Sequence, residues 1–163
     1  MDVTSPRWNH VKSVADGLSS EFTSPPIPVL EIAERNGVDV VFADFGQLKD
    51  KVAGFCDFGE KKLFVNDADT FSRQMFTIAH EFGHWMLHRR IFEVDPDRYP
   101  VLPRFHDPDR KNPLEKEANS FAANILVPER LLKPVRSAAV AALANAFGVS
   151  ISMMEFRLKN VRN

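Results

Sequence analysis

The sequence holds few residues that could build a cross-linked or cysteine-rich site. Cys56 is the single cysteine among 163 residues, which excludes an internal disulfide and a metal site with several cysteine ligands. It lies in the apolar stretch 53–58, so we interpret it as a small buried residue. The sequence also has almost no excess of one charge over the other, since it contains 21 basic and 22 acidic residues. Net charge therefore cannot draw nucleic acid to a whole face, although a local basic patch stays compatible with the sequence.

Long apolar runs are absent as well. The weakly polar stretch 138–147 is interrupted by Asn145 and falls far short of the ~20 residues that a membrane span needs. The first residues have neither a basic head nor an apolar run, so we expect no signal peptide, no membrane partner and a cytoplasmic protein. What the chain does contain is a 44% hydrophobic fraction with 14 phenylalanines, enough for the core of one domain.

The spacing of the apolar residues predicts an α+β domain with a small mixed or antiparallel sheet. Glycine and proline punctuate the chain between its periodic segments. The Pro-rich segment 93–113 is predicted to be a long surface loop. Helices are expected at 11–22, 28–35, 70–89 and 114–127, strands at 38–43, 52–58 and 62–65, and a C-terminal helical pair at 137–147 and 152–161.

The segment from His80 to His84 fits the pattern H-E-x-x-H inside the predicted helix 70–89. Histidines four residues apart project from one face of a helix, so both imidazoles can reach one ion. Glu81 beside them can take a proton from water at the metal. The motif is short and often matches by chance, but here the histidines lie away from the helix's apolar arc. The pattern therefore predicts a metal site.

A catalytic zinc ion generally has three protein ligands and one open position, so a third ligand is needed. His88 continues the series, but it lies about 12 Å along the axis from His80, too far for one ion to bridge both. We therefore interpret His88 as a polar residue near the helix end. His106 in the predicted loop stays open as a ligand, and Glu115 is the best candidate.

Glu115 is favoured by the residues that share its helical face. Asn119 lies on the same stripe, where it could accept a hydrogen bond from the outer ring nitrogen of a ligating histidine. Ala118 and Ala122 are small enough to let the two helices approach closely. Glu117 is expected to point to nearly the opposite side. The alternative is that Glu115 only stabilises the first turn of its helix through the helix dipole.

Residues 76–88 and 115–128 together resemble the ImmA/IrrE family of metallopeptidases. That family pairs H-E-x-x-H with a downstream E-x-x-A-[N/D]-x-F-A-A and a closing proline, and the resemblance covers at least residues 29–161. Phe82, where leucine is commoner, and the run 125–127 depart from the family pattern without changing its chemistry. The resemblance implies a zincin-like core with an HExxH helix at residues 1–130. It also implies a helix-turn-helix-like extension at residues 131–163, packed on that core.

The resemblance also implies site residues and an activity. His80, His84 and Glu115 would be metal ligands, Glu81 the base and Asn119 the outer partner of a histidine. The protein would be a zinc-dependent endopeptidase, with Mn²⁺ or Fe²⁺ as alternative ions. Its substrate would be a protein, a helix-turn-helix repressor encoded nearby, of a mobile element or a stress regulon. Some relatives resemble toxin–antitoxin components.

Two residues of the predicted loop, Tyr99 and His106, are candidates for stabilising the oxyanion of the transition state. The more common fate of such loop residues is plain surface exposure.

A second hypothesis is a regulatory protein whose metal is structural and which contacts DNA. Residues 141–158 have the layout of a helix-turn-helix, and Arg157, Lys159 and Arg162 add local positive charge. A helical pair packed on the core explains the same pattern, and the charge signal is weak. The complete motif with Glu81 favours catalysis, since a structural site has no use for that glutamate. A third hypothesis is an interaction module that has lost activity.

Overall fold

The computed structural model describes residues 3–94, 101–105 and 112–161, and its fold is α+β, as the apolar spacing predicts. Within these ranges helices and strands do not alternate one by one, because three strands follow one another between the second and third α-helices. The helices are α1 Trp8–Ser19, α2 Val29–Arg35, α3 Phe71–Val94, α4 Pro113–Leu126, α5 Glu129–Leu132, α6 Val140–Phe147 and α7 Ile151–Asn160, and the strands are β1 Asp39–Ala43, β2 Val52–Asp57, β3 Lys62–Asn66 and β4 Val101–Phe105.

The strands form one mixed sheet in the order β1-β3-β2-β4. β1 runs parallel to β3, and β2 runs antiparallel to both β3 and β4. Strand β4 lies within the segment 93–113, so the prediction of one long loop over that whole segment is wrong. It includes Pro103, whose missing N–H is tolerated because β4 is an edge strand with β2 as its one partner in the described sheet.

Helix α3 is the long helix behind the sheet, and it runs five residues past the predicted end at Arg89, to Val94. Helix α4 begins as its sequence suggests. The side chain of Asn112 accepts a hydrogen bond from the backbone N–H of Leu114 at 2.9 Å, and Pro113 occupies the first turn. This cap fixes the start of the turn that holds Glu115.

A single hydrophobic core joins the sheet, α3, α4 and the C-terminal helices. Phe82 of α3 and Phe121 of α4 meet edge to face with their ring centroids 5.6 Å apart. Phe147 of α6 and Met154 of α7 belong to the same buried cluster, so the predicted C-terminal pair packs on the rest of the domain. The predicted division after residue 130 stays a prediction. Among the described helices, none combines the length and the apolar character needed to cross a membrane.

Candidate metal centre

His80 and His84 lie in the middle of α3, on the side that faces α4. His80, Glu81 and His84 are all buried, and the two imidazole centroids are 4.9 Å apart. The sequence places both histidines on a second face of the helix, away from its apolar arc. That second face is nevertheless not exposed to water, because α4 covers it.

Helix α4 brings Glu115 to the two imidazoles. One carboxylate oxygen, Oε1, lies 2.9 Å from His84 Nε2, and the other, Oε2, lies 3.0 Å from His80 Nε2. The ligand atoms of these three residues all lie within 4.8 Å of one another. The Glu115 side chain keeps 17% of its surface exposed, whereas each histidine keeps 1%. The cluster is therefore open to water on the side of the carboxylate.

The chemistry of this donor set fits a divalent cation. Two imidazole nitrogens and one carboxylate are typical zinc ligands, and three protein ligands are the usual number at a catalytic site. Burial alone would raise the pKa of Glu115, but its contacts with the imidazoles of His80 and His84 outweigh that effect and hold the pKa well below its ordinary value. The carboxylate is thus ionised and able to bind a metal at neutral pH.

Each imidazole has a polar partner at Nδ1, the nitrogen that points away from Glu115. Asn119, one turn after Glu115 on α4, places its Oδ1 2.8 Å from Nδ1 of His80, as its position in the sequence predicts. An amide oxygen can only accept, so this nitrogen of His80 donates, and Nε2 is the nitrogen that can present a lone pair to a metal. A partner of this kind orients a ligating ring and fixes its tautomer.

The partner of His84 at Nδ1 is His88, whose predicted role is wrong. His88 is not a polar residue at a helix end: it is buried, and its Nδ1 lies 2.8 Å from Nδ1 of His84. Its other nitrogen lies 2.8 Å from an oxygen of Glu117, which is fully buried. Burial lowers the pKa of His88 from 6.5 to about 4, against the opposing effect of Glu117. Only the i, i+4 spacing of His84 and His88 could have indicated this contact from sequence.

Glu81 is buried on α3 between the two histidines in sequence. It lies close enough to strand β2 to act on Cys56. Burial is the main reason that the pKa of the Cys56 thiol is raised well above its usual value, and the negative charge of Glu81 adds to it. Cys56 itself is buried, as expected from its apolar surroundings. Tyr99 and His106, the predicted oxyanion stabilisers, lie outside the described residues.

Comparison with known proteins gives the same family as the motifs. The model of the peptidase M78 family, described as an IrrE N-terminal-like domain, matches residues 33–159. The metallopeptidase ImmA of Bacillus subtilis (strain 168) is 27% identical over 106 residues, which cover 64% of this chain and 56% of that protein.

A solved structure, a Mycobacterium tuberculosis transcriptional regulator, has a similar fold. Its TM-score is 0.67 at 18% sequence identity, and the match covers 95% of this chain and 48% of that one. The chain thus spans about half the length of these two relatives. At this identity the likeness concerns the fold alone. The family assignment rests on the family model, which matches most of the chain: the protein belongs to the IrrE N-terminal-like peptidase family, M78.

Proposed function

We propose that this protein is a zinc-dependent endopeptidase in which His80, His84 and Glu115 hold the metal and Glu81 is the catalytic base. One observation carries the proposal: two imidazoles and a carboxylate from two packed helices converge within 4.8 Å beside a buried glutamate. Zinc suits this mixture of nitrogen and oxygen donors, and Mn²⁺ or Fe²⁺ are the alternative ions.

The chemistry that a bound ion supplies is polarisation of the scissile carbonyl and a lower pKa for the attacking water. The protein's own residues do the rest. Glu81 accepts a proton from the water at its carboxylate and later delivers a proton to the departing amine. Asn119 keeps the hydrogen of His80 on Nδ1, so that Nε2 faces the site. Tyr99 and His106 remain predicted stabilisers of the oxyanion.

The proposed substrate is a protein, and more narrowly a helix-turn-helix repressor encoded near this chain's gene. The motif resemblance to the ImmA/IrrE family supports this choice, as does membership of the M78 family. A repressor substrate would give the protein a part in transcription regulation, through a stress response, a mobile element or a toxin–antitoxin pair. It would also place the reaction in the cytoplasm. An extended segment of the substrate could pair with an edge strand of the sheet by main-chain hydrogen bonds.

The alternative, a regulatory protein that contacts DNA through the C-terminal pair, loses one of its three predicted cations. Arg157 of α7 is buried, and its Nε donates to the carbonyl oxygen of Val127 at 2.9 Å. A second donor, Nη2, lies 3.1 Å from Oδ1 of Asn124. Arg157 therefore attaches α7 to the end of α4 and is not available to a phosphate. Lys159 is exposed, and Arg162 lies outside the described residues.

The test of the proposal is cleavage of the neighbouring repressor, with a mixed peptide library as a second substrate. Glu81→Gln should keep zinc at one ion per chain and lose about 10²–10⁴-fold in turnover, because it removes the base and not a ligand. Glu155→Gln, at an exposed site of α7, is the matched control and should cleave as the unaltered protein does. Undiminished cleavage by Glu81→Gln would refute the base assignment, and failure of the unaltered protein to take up metal would refute the centre.

A further inference from the structure

A chain of hydrogen bonds, buried at its His84 end and partly buried at Arg7, leads from His84 to the N-terminus of α1. His88 contacts His84 through Nδ1 and Glu117 through Nε2, both at 2.8 Å. Glu117 in turn receives three N–H groups of Arg7, the residue that precedes α1. The backbone N and Nε of Arg7 donate to Oε2 at 2.8 and 2.9 Å, and Nη2 donates to Oε1 at 2.9 Å. Three helices that are distant in sequence thus meet at one buried carboxylate.

The donors and acceptors in this chain fix where each hydrogen lies. Glu117 faces three N–H groups of Arg7, so it is an ionised carboxylate that can only accept. His88 must therefore donate from Nε2. A neutral imidazole carries a single N–H, so Nδ1 of His88 is an acceptor, and His84 must donate to it from its own Nδ1. This makes Nε2 of His84, the nitrogen beside Glu115, the one that can present a lone pair to a metal.

We propose that His88, Glu117 and Arg7 are positioning residues that hold His84 in the tautomer and orientation needed to bind the metal. The inference rests on the proposed metal centre, and it extends that centre to Arg7, the residue before α1. The requirement is specific. Reversing the hydrogen bonds would leave the hydrogen of His84 on Nε2, and a protonated nitrogen cannot ligate an ion.

His80 offers an internal comparison, because it reaches the same state by a shorter route. Its Nδ1 meets a single amide oxygen, that of Asn119, which lies on α4 like Glu115. The two ligating rings thus have different supports. The support of His80 is Asn119, on the same helix as Glu115. The support of His84 is a chain of three residues, which runs from His88 on α3 through Glu117 on α4 to Arg7.

The first experiment reads the tautomers directly in the unaltered, metal-free protein. Long-range ¹H–¹⁵N spectra of the imidazoles should show a hydrogen on Nδ1 of His84, and on His88 a single hydrogen, carried by Nε2. The opposite tautomer at His84 would overturn the proposal. This measurement needs neither activity nor metal, so it decides the inference even if the proposed enzyme function fails.

The second experiment measures zinc affinity by competition with a chromophoric chelator in the full chain. His88→Leu removes the acceptor for His84 and should weaken zinc binding by about 10–100-fold, the usual effect of losing an outer partner. His88→Gln keeps an oxygen that can accept and an N–H group that can donate, so it should restore most of the affinity. Equal affinity in both variants and the unaltered protein would overturn the proposal while leaving the metal centre intact.

A control separates positioning from general loss of stability. Arg130 on α5 also anchors α1, since its Nη2 donates to the carbonyl oxygens of Ser19 at 2.7 Å and Phe22 at 2.6 Å. Arg130→Gln should therefore lower the melting temperature and leave zinc affinity unchanged. A fall in zinc affinity as large as that of His88→Leu would show that any loosening of α1 disturbs the metal, against a specific role for His88.

Discussion

Replacing Gly54 by alanine tests how closely strand β2 approaches the helix that carries the candidate site. A Cβ atom at this position would lie 2.5 Å from the backbone oxygen of Phe64 and 2.6 Å from Cγ2 of Thr77. Neither neighbour can withdraw easily. Phe64 lies on β3, which is paired on both edges, and Thr77 is a buried residue of α3, one turn before Glu81.

The size of the effect follows from these two contacts. Overpacking of a filled interior costs about 1–3 kcal/mol, and a backbone neighbour places this site at the upper end of that range. Removing a glycine from a strand interior returns about 0.5–1 kcal/mol, because the unfolded chain becomes less flexible. The free energy of unfolding should therefore fall by about 2 kcal/mol. For a domain of this size, that corresponds to a melting temperature lower by about 4–8 °C.

Urea unfolding followed by far-UV circular dichroism measures the change. The control is Gly17→Ala in α1, because Gly17 is exposed and its added Cβ would meet nothing within 4 Å. This control should raise the free energy of unfolding by about 0.5–1 kcal/mol. Opposite signs are thus expected for the same chemical change. A Gly54→Ala protein with an unchanged or higher urea midpoint would refute the close packing of β2 on α3.

Three further outcomes follow from buried contacts. Arg157→Leu leaves the carbonyl of Val127 without its donor, so urea unfolding should show a loss of about 2 kcal/mol, against at most about 0.5 kcal/mol for Arg136→Leu at an exposed site. Cys56 should react with a thiol-reactive dye at pH 8 only as fast as the protein unfolds. Burial is the main reason, because it raises the pKa of the thiol, and the charge of Glu81 adds to it. Rapid labelling of the native protein would contradict this prediction. Zinc at about 1,000 times its dissociation constant should stabilise the fold by about 4 kcal/mol, reversibly by chelation, and an unchanged unfolding midpoint would contradict a metal centre.

The sequence alone was sufficient for the elements that depend on local pattern. The periodicity of α3 and of α4 is a local signal, and it places His80, His84 and Glu115 on defined faces of two helices. The small residues Ala118 and Ala122 predict that these helices approach closely, and both are buried in the structure. A motif with a defined chemistry then limits what such a pair of helices can do.

Other features depend on partners far away in the chain, which periodicity does not reveal. Strand β4 is not predictable from local pattern, because the sequence around Pro103 is typical of a loop. The segment becomes a strand by pairing with β2. The predicted end of α3 at Arg89 is too early: the first proline after Arg89 is Pro96, two residues past the observed end at Val94. Distance along the helix excludes His88 as a direct metal ligand, but it says nothing about a contact between His88 and a ligating histidine.

The buried pair of His88 and Glu117 also explains why stability and function are joined at the start of this chain. A carboxylate as fully buried as Glu117 is costly unless its charge is balanced, and Arg7 supplies that balance. Losing Arg7 would therefore leave Glu117 with His88 as its remaining described partner, and the carboxylate would favour a proton on that ring. A doubly protonated His88 could no longer accept from His84. The contact that docks α1 on α4 thus determines, through one ring, whether His84 presents a lone pair to the site.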